Sequence, residues 1–319
     1  MRMSAYRFCR TDDIGLLVDA LNRCWAPCVP DEPLTTAASF KRSIRDLQVW
    51  CSSCMVAFAG ADPIGVLVGA KRPSGTLVHR IAVHPDHRRQ GHGRHLLDSL
   101  GSKLAILGPP RIVAEVPESL APACGLFSAS GYVQETVLTD HVLECDENRG
   151  REDAGMPGRF VIPVTVDDLA ANGLLEDHRQ VCWERSVETL AAKKEDIAGL
   201  AVASDERIEA YVLYVARGMG VDGNRAAGAP ASAPTRGPHD AFCASLGGTE
   251  EIVALRSHID DGGARLRHLL GRLRARGMGT FRFAKVHPAE ISKELLATLG
   301  FRPAGVHRLY AATARPGVG

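Results

Sequence analysis

One segment constrains the fold of this chain more than any other. Residues 78–107 combine an apolar, β-branched strand, a loop reading Arg88-x-x-Gly91-x-Gly93, and a helix with leucines at 96, 97, 100, 104 and 107. A helix N-terminus offers unpaired backbone N–H groups and a positive dipole end. Gly91 and Gly93 would let this backbone approach an anion without a Cβ clash. The segment therefore predicts a phosphate or pyrophosphate site.

The spacing of the loop excludes two common phosphate motifs. A dinucleotide fingerprint needs a third glycine where this chain has Leu96, and a P-loop needs a Gly-Lys-Ser/Thr sequence that is absent. An ordinary glycine turn in an α/β domain is the alternative interpretation.

The loop, together with its flanks, resembles the coenzyme A pyrophosphate loop of the GNAT acyltransferase superfamily. The flanks are Ala82-Val83-His84-Pro85 before the loop and Gly131-Tyr132 after the helix. The resemblance implies that acyl-CoA binds as co-substrate, with its pyrophosphate on the amides of residues 90–94 and its pantetheine along the preceding strand. The cofactor-binding residues so implied are Ile81, Ala82, Val83, Arg88, Arg89, Gln90, Gly91, His92, Gly93, Arg94 and Phe127.

Composition excludes several other functions. The 319 residues carry 38 Lys and Arg against 37 Asp and Glu, so no basic field favours nucleic acid or an anionic membrane. Neither an apolar stretch long enough to span a bilayer nor a signal-like N-terminus is present, which favours a cytoplasmic location. Nine cysteines without a secretory signal predict free thiols, and Cys51-x-x-Cys54 predicts buried structural thiols rather than a metal or redox site.

The pattern of the first half restarts in the second. Landmarks recur in order, with His95-Leu96-Leu97 matched at His268 and Gly131-Tyr132 matched at Gly300. We expect an α/β fold with a mixed sheet, present as two tandem GNAT folds of which the second is degenerate. The predicted parts are a first domain at 1–146, a linker at 147–158, and a second domain at 159–319 with an insert at about 218–238.

The second repeat lacks the phosphate chemistry. Asp260 and Asp261 stand where the first repeat has Arg88 and Arg89, and two carboxylates would repel a pyrophosphate. We expect this half not to bind coenzyme A in the usual way.

The resemblance implies acyl transfer to an amine, which requires a base. His79 matches the strand position where the family often has a carboxylate, and Glu115 on the next strand is the alternative. The family's tyrosine and asparagine are replaced by Phe127 and Leu120, which cannot donate a proton. These two residues either widen an apolar acyl site or simply pack in the core.

We expect the acceptor to be a primary amine of a small molecule, such as an amino sugar of an antibiotic or other natural product. A helix carrying His178, Trp183 and Glu184 is the candidate acceptor-binding element, unless it is an ordinary amphipathic helix with a core tryptophan. The competing hypotheses are a non-enzymatic acyl-CoA-binding module and an enzyme resembling mycothiol synthases.

Overall fold

The computed structural model describes residues 4–30, 32–144, 160–176, 180–215 and 249–315, which form two compact units. Unit 1 comprises the chain up to Val137 together with the C-terminal segment that begins at Val306, and unit 2 comprises described residues from Leu138 to Gly305. The linker predicted at 147–158 and the insert predicted at 218–238 lie outside the described residues.

The described residues of the first part of the chain, 4–30 and 32–144, form six strands and four α-helices. The strands are Ser4–Phe8 (β1), Met55–Ala59 (β2), Asp62–Arg72 (β3), Gly75–Val83 (β4), Arg111–Pro117 (β5) and Val133–Glu144 (β6). The helices are Ile14–Cys24 (α1), Ala37–Leu47 (α2), His92–Leu107 (α3) and Ala121–Ala129 (α4). The leucines predicted for one face of α3 are buried at 96, 97, 100 and 104, whereas Leu107 is exposed near the helix end.

The second part of the chain repeats this order of elements. The strands are Phe160–Val164 (β7), Ile197–Ala203 (β8), Ile208–Val215 (β9), Thr249–Ser257 (β10), Thr280–Val286 (β11) and Arg302–Thr313 (β12). The helices are Val166–Ala171 (α5), Val187–Ala192 (α6), Ala264–Arg274 (α7) and Lys293–Thr298 (α8). Helices α3 and α7 occupy equivalent places in the two halves. Both bury the leucines of the repeated His-Leu-Leu sequence, which are Leu96 and Leu97 in α3 and Leu269 and Leu270 in α7, as that repeat predicts.

Each unit has its own sheet order. Unit 1 runs β1-β2-β3-β4-β5-β12 and unit 2 runs β6-β11-β10-β9-β8-β7. The pairs are antiparallel except β4 with β5 and β10 with β11, which are parallel. Mixed sheets of this kind confirm the predicted fold class.

Each half of the chain contributes a strand to the unit built mainly from the other half. β12, from the last part of the chain, pairs with β5 of unit 1 from His307↔Pro117 to Thr313↔Arg111. The later part of β6 pairs with β11 of unit 2. The compact units therefore divide at 137/138 and 305/306, whereas the boundaries 1–146 and 159–319 stay a prediction about the repeats.

Candidate functional site

Strands β4 and β5 of unit 1 separate after a short stretch of pairing. They pair at Thr76↔Ile112 and Leu77↔Val113, yet β4 continues to Val83 and β5 to Pro117. The facing backbone groups beyond Leu77 are therefore not bonded across this pair of strands. Such an opening suits an extended ligand that pairs like an added strand. Ile81, Ala82 and Val83 lie on this part of β4.

A β-bulge in β4 coincides with the start of the opening. Val68 pairs with Arg80 and Gly69 with Val78, which leaves His79 as the extra residue. Val78 and Ile81 both pack in the unit 1 core, so His79 and Arg80 between them share the opposite face of the sheet. The side chain of His79 is partly buried.

The N-terminus of α3 follows the end of β4 through a tight turn. Gly91 is the N-cap residue at φ 88°, and no side chain caps the helix. Arg89, a non-glycine residue, also has a positive φ of 63°. The first backbone amides of α3, those of His92 to Arg94, thus lie at the positive end of the helix dipole, and no side chain caps them. This arrangement fits a pyrophosphate group.

The two glycines of the loop have different structural roles. A Cβ on Gly91 would meet no atom within 4 Å, so its requirement is the positive φ. A Cβ on Gly93 would lie 3.0 Å from Cδ2 of Leu126 on α4. The missing side chain of Gly93 thus lets α3 pack against α4, and the approach of an anion to both glycines stays a prediction.

The polar side chains of the loop are exposed and mostly brace it. Arg88 donates from Nε to the carbonyl of Val83 at 3.2 Å and from Nη2 to Sγ of Cys28 at 3.1 Å. Gln90 donates to the carbonyl of Asp86 at 3.4 Å, and Arg89 is exposed beside it. Arg88 thus ties the loop to the end of β4 while keeping its charge at the loop.

A histidine and tyrosine cluster, which the sequence did not indicate, anchors the first turn of α3. The hydroxyl of Tyr6 on β1 lies 2.6 Å from Nδ1 of His92, and the rings of Tyr6 and His95 are 3.8 Å apart between centroids. His92 is 6% exposed. Burial, with the neighbouring His87 and His95, lowers its pKa.

The two remaining first-repeat candidates differ in their surroundings. Glu115 is partly buried on β5, beyond the last β4 pair, and lies opposite Leu309 of β12. Phe127 is 2% exposed and packs against the rings of Tyr132 and Tyr310, with centroids 5.1 and 5.7 Å away. This packing favours the core alternative for Phe127, and its assignment as a cofactor-binding residue stays a prediction.

A buried charge cluster lies near the bulge and carries no sequence motif. Glu32, which follows α1, accepts a hydrogen bond from Nε1 of Trp25 at 3.0 Å and lies 3.5 Å from Nη2 of Arg80. The guanidinium of Arg80 also lies 5.3 Å from the centre of the Trp25 ring. Burial raises the pKa of Glu32, and the contacts with Trp25 and Arg80 oppose this effect.

Unit 2 keeps the backbone plan of this site without its chemistry. β10 and β11 pair only as far as Ile252↔Phe283, and a register shift against β9 leaves Val253 as the extra residue. Where unit 1 has His79, unit 2 thus has a buried, apolar valine.

In unit 2 the N-terminus of α7 is capped by the carboxylate of Asp261, which precedes the helix. Asp261 accepts hydrogen bonds from the amides of Gly263, Ala264 and Arg265 at 3.0–3.1 Å and from the Arg265 guanidinium at 2.6 Å. Burial acts to raise the pKa of Asp261, but these bonds lower it overall. The carboxylate occupies the amides that an incoming anion would need, which supports the expectation that unit 2 does not bind coenzyme A.

The prediction that one helix carries His178, Trp183 and Glu184 is wrong, whereas the acceptor-binding role of these residues stays a prediction. α5 ends at Ala171, Gly173 adopts φ 68°, and Trp183 and Glu184 lie in a separate 3₁₀ turn that begins after an extended Cys182. Trp183 is 8% exposed, in agreement with the core-tryptophan alternative, and Glu184 forms a 3.0 Å ion pair with Lys285. His178 lies outside the described residues.

The paired cysteine motif forms part of the interior. Cys51 and Cys54 are free thiols at 7% and 0% exposure, which confirms the prediction of buried structural thiols. Burial raises the pKa of both thiols, so neither is activated as a nucleophile.

Comparisons with known proteins agree with this geometry. Residues 16–132 match the acetyltransferase (GNAT) family model. Mycothiol acetyltransferase of Thermomonospora curvata is 36% identical over 161 residues, which cover 50% of this chain and 46% of that protein. Ribosomal protein bS18-alanine N-acetyltransferase of Escherichia coli K12 is 39% identical over 74 residues, 23% of this chain and 48% of that protein. The chain spans about half the length of these curated relatives.

A solved structure extends the likeness to the whole chain. A tandem GNAT protein from the clavulanic acid biosynthesis pathway superposes with a TM-score of 0.61 at 17% identity, covering 99% of this chain and 100% of that one. At this identity the likeness shows the fold alone. Residues 16–132 therefore resemble GNAT acetyltransferases in sequence, and the chain has the fold of tandem GNAT proteins, as the sequence predicted. Among the described residues, no helix is long and apolar enough to cross a membrane.

Proposed function

We propose that this protein is an acyl-CoA-dependent N-acyltransferase with one coenzyme site, in unit 1. The observation that carries the proposal is the contrast between two helix N-termini. That of α3 is uncapped behind Gly91, whereas that of α7 is bonded to Asp261. The family generally uses acetyl-CoA, which agrees with an acyl-CoA co-substrate.

The residues around the opening would divide the work of binding. The amides from Gln90 to Arg94 would hold the pyrophosphate, with charge from Arg88 and Arg89. The β4 backbone at 81–83 would pair with the pantetheine arm. The amine nitrogen would form the new C–N bond at the thioester carbonyl of acyl-CoA, and the C–S bond would break. The products are an amide and coenzyme A, whose thiolate leaves and takes up a proton equivalent to the one lost by the amine.

The proposed base is His79. A primary amine is mostly protonated near neutral pH, so it must lose a proton before it can attack a carbonyl carbon. His79 lies at the bulge beside the strand opening, and an imidazole can accept that proton directly or through water. Glu115, across the opening on β5, is the alternative base. Phe127 has no proton to give to a leaving group.

We further propose a small-molecule acceptor, such as an amino sugar in antibiotic or other natural-product biosynthesis, and a cytoplasmic location. The tandem fold supports the first proposal, because a protein with that fold belongs to the clavulanic acid pathway. Similarity to mycothiol acetyltransferase favours a second candidate, an acetyltransferase resembling mycothiol synthases. The non-enzymatic alternative is favoured by Phe127, which stands where the family's proton donor is expected.

The test is release of free thiol from acyl-CoA. Acetyl-CoA and longer acyl-CoAs are each mixed with the protein and with amino sugars, desacetylated mycothiol or a bS18 N-terminal peptide. We expect amine-dependent thiol release with a small-molecule amine, and mass spectrometry should find the matching amide. Tight coenzyme binding without turnover of any amine would favour the binding-module alternative.

A further inference from the structure

Glu32 holds a carboxylate that is incompletely partnered inside unit 1. Its side chain is 5% exposed. Oε2 receives the Trp25 indole N–H and faces Arg80, while Oε1 is buried and has no hydrogen-bond partner among the described residues. A buried carboxylate oxygen without a donor is unfavourable. This oxygen therefore has the capacity for one more donor.

The surroundings place this oxygen on the side of the sheet that bears the proposed base. Arg80, the partner of Glu32, follows His79 in β4 and shares its face. The loop that carries Glu32 is fixed to α1, because Asn22 exchanges two hydrogen bonds with the backbone of Thr35, at 2.7 and 2.9 Å. Glu32 is thus held by anchors on α1, β4 and its own loop.

We propose that Glu32 binds the ammonium group of the acceptor amine through Oε1. The inference rests on the proposed function and adds to it the residue that selects a cationic primary amine. An ammonium group supplies N–H donors and a positive charge, and hydrogen bonds between charged groups are stronger than neutral ones. A hydroxyl compound of the same shape would supply the donor without the charge.

The indole of Trp25 gives a direct readout of this event. The chain has three tryptophans, so three indole N–H signals are expected by NMR, and Trp25→Phe identifies one of them. The full chain with coenzyme A is titrated with methylammonium, and with tetramethylammonium as a cation that has no N–H. We expect methylammonium to shift the Trp25 signal and tetramethylammonium to leave it in place. No shift with methylammonium would overturn the proposal.

Two variants distinguish the buried carboxylate of Glu32 from exposed carboxylates. Glu32→Gln removes the charge and should abolish the methylammonium shift. Glu135→Gln is the matched control, because Glu135 is an exposed unit 1 carboxylate paired with Arg111 outside the proposed site. An equal response of both variants would overturn the proposal.

Kinetics supply the second measurement. For an amine that the protein acylates, Glu32→Gln should raise KM about 30-fold, a factor typical for a hydrogen bond to a charged group. Glu32→Asp should retain part of the affinity, and the Kd of coenzyme A should stay within about twofold, because the proposed coenzyme site lies elsewhere. Parallel losses of coenzyme affinity and thermal stability would show that Glu32 is only a structural brace.

The two proposals fail in distinguishable ways. If no amine is acylated but methylammonium still acts through Glu32, the amine site stands and the acyltransferase assignment fails. If an amine is acylated with equal KM by the wild type and Glu32→Gln, the enzyme stands and the role of Glu32 is refuted.

Discussion

Replacement of Gly91 offers a quantitative test of the proposed pyrophosphate site. Its φ of 88° is a conformation that costs an L-residue about 1–2 kcal/mol. A Cβ there would touch nothing within 4 Å, so backbone strain is the whole expected cost of Gly91→Ala. This variant should lower the free energy of unfolding by that amount while leaving space for the coenzyme.

Gly91→Glu adds a charge to the same strain. A carboxylate about 4 Å from a phosphate charge is repelled by about 1 kcal/mol in water, and two phosphate charges double this figure. About 2 kcal/mol corresponds to a 30-fold weaker Kd relative to Gly91→Ala. The dielectric constant of water is appropriate for this calculation, because the loop is exposed to solvent.

Titration calorimetry with coenzyme A measures both the affinity and the number of sites. We expect one site per chain in the wild type. The affinity for coenzyme A should decrease from the wild type to Gly91→Ala and again to Gly91→Glu. Gly271→Glu is the matched control, because Gly271 on α7 also has nothing within 4 Å of its Cβ position. Equal Kd values for Gly91→Ala and Gly91→Glu, or two equivalent sites in the wild type, would refute the assignment.

Three further substitutions test other parts of the structure. His79→Ala should lower kcat/KM by about 10²-fold and flatten the acidic limb of the pH–rate profile, whereas an unchanged profile would transfer the base role to Glu115. Because the pKa of His92 is lowered in the folded state, the unfolded chain binds its proton more readily, and the free energy of unfolding should fall as pH drops below about 6.5. Denaturant titrations should show a smaller fall for His92→Gln, and equal slopes would contradict this reasoning. Asp261→Ala should destabilise unit 2 by about 1–2 kcal/mol through loss of the helix cap, and Asp260→Ala, at an exposed position, should not.

Local patterns in the sequence were sufficient for the elements and the loop of the first repeat. The strand, glycine loop and leucine spacing of residues 78–107 act over short distances, so they could be interpreted without the fold. Trp183 misled the same reasoning, because residues 183–185 form a separate 3₁₀ turn after an extended Cys182 and not part of a longer helix.

Long-range features could not be predicted in this way. The cluster around Glu32 depends on Arg80, which is far away in sequence and approaches Glu32 only in the folded chain. The structural reason for Gly93 depends similarly on Leu126 of another helix. Strand β5 could pair with any of several strands, and the alternation of apolar residues does not specify that its partner is β12.

The exchanged strand has a consequence for biosynthesis. β5 receives its outer partner only when residues 307–313 have left the ribosome, after more than half of the chain has followed β5. Until then the nascent first repeat exposes an unpaired strand edge, a known nucleus of misassembly. Contacts of such large sequence separation also slow folding. Maturation of unit 1 is thus delayed until residues 307–313 have been synthesised, and a chain interrupted before residue 306 would leave it open.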